Sequence, residues 1–324
     1  MNDIIVVEGL HKRFGGVEAV AGISFSVRSG ELFGFLGPNG AGKTTTINML
    51  TGLARPDAGT IRIGDLDCTA RPRTAQHLLG VVPDESNLYP ELTGFENLCF
   101  CAALYGMGRA ERKDRARELL ADFGLDKAAD RRFGVYSKGM KRKLTIAAGI
   151  IHRPPVLFLD EPTTGIDVAS ARQLRQLVGR LHQAGTTIFL TTHYIEEAER
   201  LCGRIALLMA GRIVRLAPLD ELLEPVRSRH VLQIACTGAP AGVDRELAAA
   251  FPGLACTMPE PGILRVEADE PMSVGPLVRF LEERGTEVAE ARRVRPSLED
   301  VFVRLTGIEA GALRREKEKG GGGR

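Results

Sequence analysis

The sequence contains no tryptophan, and aromatic residues make up only 5% of its 324 positions. A surface built to stack nucleic-acid bases on aromatic rings is therefore not expected. It also lacks an excess of one charge: 43 Lys and Arg face 41 Asp and Glu, a formal net charge of +2. That balance argues against a broad basic face, and so against a nucleic-acid partner. No stretch approaches the roughly 18 consecutive apolar residues that a membrane-spanning helix needs. Short apolar runs such as Ile205–Ala210 fit buried strands instead. Met1-Asn2-Asp3-Ile4 has no basic segment or cleavage site, so no secretion signal is expected. The six cysteines (Cys68, Cys99, Cys101, Cys202, Cys236 and Cys256) form no CxxC pair, and Cys99 and Cys101 lack the further ligands of a zinc site. Reduced, partly buried thiols in a cytoplasmic setting are the expectation.

What is present is an ordinary globular composition, 44% hydrophobic and 26% charged, long enough for one large domain or two smaller ones. Up to about residue 220, short β-like runs alternate with helical patterns. Strands are expected at Ile4–Leu10, Gly30–Leu36, Thr60–Ile63, Val156–Leu159, Thr187–Thr191 and Ile205–Met209, with a helix from Lys43 to about Leu53. Such alternation predicts a mostly parallel sheet. Residues 91–150 read as a helical subdomain grafted onto it. From residue 228 to 308 the pattern predicts a small α+β domain. Its expected order is strand His230–Ala235, helix Val243–Ala250, strand Gly262–Ala268, helix Val274–Arg284, strand Thr286–Arg293 and helix Ser297–Leu305. Residues 309–324, ending in a glycine run, read as a disordered tail.

Gly37-Pro38-Asn39-Gly40-Ala41-Gly42-Lys43-Thr44 matches GxxxxGK[ST] between an expected strand and an expected helix. Glycines let successive N–H groups close around a polyphosphate, and the helix N-terminus adds its positive end. Lys43 is expected to neutralise the β- and γ-phosphates. Thr44 would offer its hydroxyl to Mg²⁺, and Thr45 would reach the α-phosphate. The apolar run Val156–Leu159 delivers Asp160 and Glu161 to the end of a second buried strand. Ligands bind at that end of open α/β sheets. Asp160 is expected to reach Mg²⁺ through water, and Glu161 to polarise the attacking water.

These motifs, in this order, resemble those of the ATP-binding cassette (ABC) ATPases over residues 1–222. The resemblance implies the P-loop ABC-ATPase fold, with ATP and Mg²⁺ as ligands. Tyr136-Ser137-Lys138-Gly139-Met140 stands where that family has LSGGQ; Ser137 and Gly139 are kept and imply contact with the γ-phosphate bound by the opposite subunit. Thr163–Asp167 resembles the D-loop, ending on Asp167, and His193 the switch histidine that touches the γ-phosphate and Glu161. Phe14 matches the aromatic that stacks on adenine. Asp84 stands where the family has a glutamine on Mg²⁺ and water; a carboxylate can serve the metal but adds negative charge beside the phosphates.

The same resemblance implies a head-to-tail homodimer, partnered by a separate membrane permease. An exposed groove with Leu88, Tyr89 and Leu92 is its expected docking region. The tyrosine-led signature, the Val82-Pro83 loop and Pro296–Phe302 resemble the ATPases of ABC-2 type exporters. The expectation is an ATPase subunit of such an exporter, bound peripherally at the cytoplasmic face of the membrane. The alternatives are a soluble cassette ATPase acting on nucleic acid or ribosomes, and an importer ATPase; a single P-loop without sustained heptads speaks against the former.

Overall fold

The computed structural model describes residues 2–227, 229–294 and 297–306. The expected tail and Pro296 lie outside the described residues. The chain divides into two compact units, the first running to Pro218 and the second beginning at Leu219.

The first unit opens with β1 (Asp3–Phe14) and β2 (Val17–Arg28), followed by β3 (Leu32–Leu36), α1 (Lys43–Leu50), β4 (Ala58–Ile63), β5 (Leu66–Asp67), α2 (Pro72–Ala75) and β6 (Leu79–Val82). Three helices follow: α3 (Gly94–Leu104), α4 (Arg109–Asp122) and α5 (Lys138–Gly149). The chain then forms β7 (Val156–Asp160), α6 (Val168–Gln183), β8 (Thr187–Thr192), α7 (Ile195–Leu201), β9 (Arg204–Met209) and β10 (Arg212–Pro218). The six-stranded sheet has the order β10-β9-β3-β8-β7-β6. All its neighbours are parallel except β10 against β9.

A second sheet, β2-β1-β4-β5, is antiparallel and was not expected. Ile23, Phe25 and Val27 of β2 are buried at alternate positions, the period-2 pattern of a half-buried strand. The first helix ends at Leu50 rather than near Leu53, because Gly52 turns the chain at φ +75°. Five phenylalanines stand among the aliphatic residues of this unit's core. Phe189 of β8 lies 5.9 Å from Phe25, 5.6 Å from Phe33, 5.3 Å from Phe35 and 5.4 Å from Phe158 between ring centroids. Such pairs add about 0.5–1.5 kcal/mol each beyond the area they bury. The scarce aromatics are thus concentrated where β3, β7 and β8 must be held together.

The helical insertion starts from a capping box. Thr93 accepts from the Glu96 amide at 3.1 Å, and Glu96 accepts from the Thr93 amide at 2.8 Å. The expected groove before it needs correction. Leu88 is buried and Leu92 partly so, while Tyr89 stays exposed, edge-on to Phe100 at 5.1 Å. Asn97 accounts for this: its side chain bonds both the N–H and the carbonyl of Tyr89, at 2.9 and 3.0 Å, folding the segment onto α3.

The second unit comprises α8 (Leu219–Arg227), β11 (His230–Thr237), α9 (Val243–Ala250), β12 (Ala255–Glu260), β13 (Ile263–Ala268), α10 (Val274–Glu282), β14 (Glu287–Val294) and α11 (Leu298–Thr306). Its sheet, β12-β13-β11-β14, is antiparallel throughout. The order from β11 to β14 is β-α-β-β-α-β, the split βαβ arrangement, rather than the simple alternation expected. The unexpected strand is β12, a mostly exposed edge containing Pro259, which carries little hydrophobic pattern. The helix α8 packs with α11 through buried Leu222, Leu223 and Val226 on one side and Leu298, Val301 and Phe302 on the other. It therefore belongs to the second unit, although the sequence suggested a boundary near residue 222.

A chain ending at Pro218 is expected to melt cooperatively and to bind a fluorescent ATP analogue as the full chain does. A folded truncation without binding would refute this boundary.

Candidate functional site

β3 is buried along its whole length, so the chain meets water only beyond Leu36. There Gly37 donates its N–H to the carbonyl of Thr192, at the end of β8, at 3.3 Å. The loop then turns through Gly40 at φ +77° and Gly42 at φ +102°, and α1 begins at Lys43. A Cβ on Gly42 would stand 2.3 Å from the carbonyl oxygen of Ala19 in β2. The loop is therefore pressed against the antiparallel sheet, and only glycine fits there.

Lys43 is 5% exposed. Its Nζ donates to the carbonyls of Gly37 and Pro38 at 2.9 and 3.0 Å and pairs with Glu161 Oε1 at 3.1 Å. Thr44 is exposed and Thr45 half-buried at the same helix start, while Pro38, Asn39 and Ala41 complete the loop.

The parallel register sets Asp160 beside Thr191 of β8. The Thr191 hydroxyl donates to Asp160 Oδ1, leaving its other carboxylate oxygen for a further partner. Glu161 follows immediately in the left-handed region at φ +47°. For a residue with a Cβ this costs of order 1–3 kcal/mol, so surrounding contacts must hold it. Its N–H donates to the Thr191 carbonyl at 3.1 Å. Its Oε2 accepts from Thr164 Oγ1 at 2.9 Å and meets His193 Nδ1 at 2.5 Å. Burial alone would raise the pKa of the Glu161 carboxyl. The His193 hydrogen bond and the Lys43 charge outweigh that and hold it at about 2. Glu161, 8% exposed, is thus a carboxylate at neutral pH that can accept a proton.

Asp84, just beyond β6, faces the same carboxylates. Desolvation raises its pKa, Glu161 and Asp160 add to the rise, and Arg142 opposes it. Thr44, Asp160 and Asp84 offer hard oxygen ligands, the set that suits Mg²⁺ with phosphate and water completing its shell. Among the described residues, no group of three or more His, Cys, Asp or Glu could hold a metal by itself.

Phe14 ends β1 with 55% of its surface exposed, and Lys12 Nζ lies 5.3 Å from its ring centroid. Ser137 and Asp167 are helix caps. Ser137 accepts from the Met140 amide at 3.2 Å, and Asp167 accepts from the Ser170 amide at 2.9 Å. The Ser170 hydrogen bonds hold the Asp167 carboxyl below its usual pKa. Gly139 sits where α5 meets α6; a Cβ there would lie 2.4 Å from Ser170 Oγ. None of the described hydrogen bonds or ion pairs joins Ser137, Gly139 or Asp167 to Lys43 or Glu161. The structure therefore gathers Lys43, Asp160, Glu161, His193 and Asp84 in one place, with Thr164 bonded to Glu161, and leaves Ser137, Gly139 and Asp167 outside it.

Sequence reasoning missed Thr164, Thr191 and Arg142. Arg142 is 7% exposed and reaches the loop of Asp84 and the turn of Glu161. It lies in the run Lys141-Arg142-Lys143, which reads as a solvated face. The helical period was the available signal: Gly139, Arg142, Ile146 and Gly149 fall on one buried side of α5.

Comparison with known proteins gives a consistent picture. The family model described as "ABC transporter" matches residues 20–164. The chain is 39% identical over 308 residues to the daunorubicin/doxorubicin resistance ATP-binding protein of Streptomyces peucetius, covering 94% of this chain and 93% of that one. It is also 39% identical to the Nod factor export ATP-binding protein I of Burkholderia orbicola, covering 93% and 96%. Among solved structures, a dimeric ATP-binding cassette in a post-hydrolysis state, bound to ADP and Pi, is similar at TM-score 0.61 and 26% identity. The match covers 66% of this chain and 98% of that one.

Two glycine variants test the loop geometry. Gly42→Ala, which meets a backbone oxygen, is expected to weaken nucleotide binding about tenfold or more. Gly40→Ala, with nothing within 4 Å of its Cβ, should lose clearly less. Fluorescent-nucleotide titration measures both, and equal losses would contradict the close approach to Ala19.

Proposed function

From the premise that the chain belongs to the ABC transporter family as one of its ATPases, we propose that two copies close head to tail on two ATP molecules. The chain is an ATP-binding and ATP-hydrolysing subunit that powers export. The observation that carries the catalytic reading is the Glu161 carboxylate, fixed between Lys43 and His193 at the end of β7. In this reading Glu161 is the general base that draws a proton from the attacking water. His193 holds that carboxylate in place and meets the γ-phosphate. Lys43 neutralises the β- and γ-phosphates, and backbone N–H groups of the loop and helix start from Asn39 to Thr45 wrap the chain of phosphates. The exposed ring of Phe14 stacks on adenine.

Thr44, Asp160 and Asp84 would hold Mg²⁺, whose charge would stabilise the transferring phosphoryl group. The free oxygen of Asp160 suits such a ligand. Asp84 in the usual glutamine position brings a second carboxylate to the same place.

The dimer reading draws support from Ser137 and Asp167, both exposed, and from their lack of contact with their own chain's cluster. Ser137 of the partner subunit would complete each site. A similar cassette is dimeric with ADP and Pi bound. The substrate path belongs to a separate permease, which we assign to the ABC-2 type; relatives named for drug resistance and Nod factor export support this. No described helix is long and apolar enough to cross a membrane. The subunit would act at the cytoplasmic face, with exposed Tyr89, Phe100, Leu104 and Tyr105 of the helical insertion as docking residues.

Glu161→Gln is expected to keep ATP affinity, to lower turnover by about 100-fold or more, and to accumulate an ATP-bound dimer on size exclusion. Turnover at the wild-type rate would remove Glu161 as the base. Asp84→Gln should shift the Mg²⁺ concentration needed for half-maximal hydrolysis; an unchanged titration would make Asp84 a passive loop residue.

A further inference from the structure

Arg142 is the buried cation that the assigned machinery leaves unused. It stands in the second turn of α5, the helix that Ser137 caps. Every described hydrogen bond it makes goes to a backbone carbonyl. Nη2 donates to Asp160 at 2.6 Å and Nε to Pro162 at 2.9 Å. Nη1 donates to Asp84 at 2.9 Å and also to Pro83. The first two carbonyls belong to the residues on either side of Glu161. The other two belong to the loop that carries Asp84. One turn along α5, the hydroxyls of Thr145 and Ser86 meet at 2.8 Å and tie the same loop to the same helix.

We propose that Arg142 is a positioning residue for hydrolysis: its guanidinium grips the carbonyls of the two residues flanking Glu161 and so holds the left-handed turn that aims the carboxylate. The inference rests on the reading of Glu161 as the base. The physical argument has three parts. First, Glu161 occupies a backbone conformation that costs free energy, and only outside contacts can keep it there. Second, a planar fork with five N–H donors can serve four carbonyls from two segments at once, which a lysine ammonium on a flexible stem cannot. Third, a guanidinium is retained here despite its burial. The carboxylates of Asp84, Asp160, Glu197 and Glu161 lie around it and compensate its charge where water is excluded. Replacing the grip by a point charge would keep the local charge balance and lose the geometry. Because α5 also carries Ser137 at its start, a rigid-body movement of this helix would reach the general base through Arg142.

The test compares the full chain with Arg142→Lys and Arg142→Gln, measuring ATP turnover, affinity for a fluorescent ATP analogue, and thermal melting. A base misplaced by a fraction of an ångström loses rate rather than ground-state binding. The expected result is a kcat lowered at least about 10-fold in both variants, with KM and ATP affinity changed less than about threefold. Full turnover in Arg142→Lys would show that charge alone suffices and would overturn the proposal. A parallel loss of ATP affinity and kcat would do the same, as would failure of both variants to fold, since each marks Arg142 as structural support only. Glu161→Gln run alongside separates the two readings. If it turns over normally the base assignment fails; if it is inactive while Arg142→Lys is normal, only the grip fails.

Discussion

The parallel register of β3, β7 and β8 is the constraint from which the rest of this molecule follows. All three strands are buried throughout their length, and Asp160, Thr191 and Thr192 all emerge at their C-terminal ends. Leu36 pairs with Thr192, and Asp160 with Thr191. The three strands therefore leave the sheet level with one another; Gly37 and Glu161 arrive within reach of a single lysine, and His193 within reach of Glu161. A one-residue slip would turn the carboxylates away from it. The phenylalanine cluster prevents that slip by locking β2, β3, β7 and β8 together through rings whose shapes interlock.

The electrostatics follow from that placement. Lys43 and Glu161 are both almost wholly out of water, a situation that is unfavourable for either charge alone. Together they satisfy each other, with His193, Thr164 and two carbonyls taking the remaining hydrogen-bonding capacity. Removing one member of such a buried pair costs about 3–5 kcal/mol, because the other is left uncompensated. The cluster therefore stiffens the Gly37–Thr44 loop against the end of β7, and the same groups proposed to perform the chemistry also hold two segments of the fold together.

Much of this was legible in the sequence, for a physical reason. Gly37–Thr44 and Asp160-Glu161 are contiguous, and a buried apolar run followed by charge announces a strand end. What sequence could not assemble is what depends on contacts across the chain. The strand β2 carries a readable alternation, Ile23, Phe25 and Val27 with Ser24 and Ser26 between them, but nothing local says that it pairs with β1 in a second sheet. The edge strand β12 buries little and so shows little pattern. Arg142 is concealed by its neighbours Lys141 and Lys143, which are only half-buried; only the buried side of α5 separates it from them. Leu88 looked available for docking because nothing local reveals that Asn97 folds its segment inward.

Ser137 joins two demands in one hydroxyl. As a cap, its oxygen accepts the Met140 amide and uses a lone pair. The proton on that oxygen remains to be given elsewhere. The start of α5 thus fixes the serine oxygen when the chain folds, and the rotational freedom that a ligand would otherwise have to quench is already gone before any ligand arrives. An alanine at this position would withdraw both services together. In the proposed dimer, the stability of this largely buried helix and the recognition of a phosphate would be inherited as a single trait.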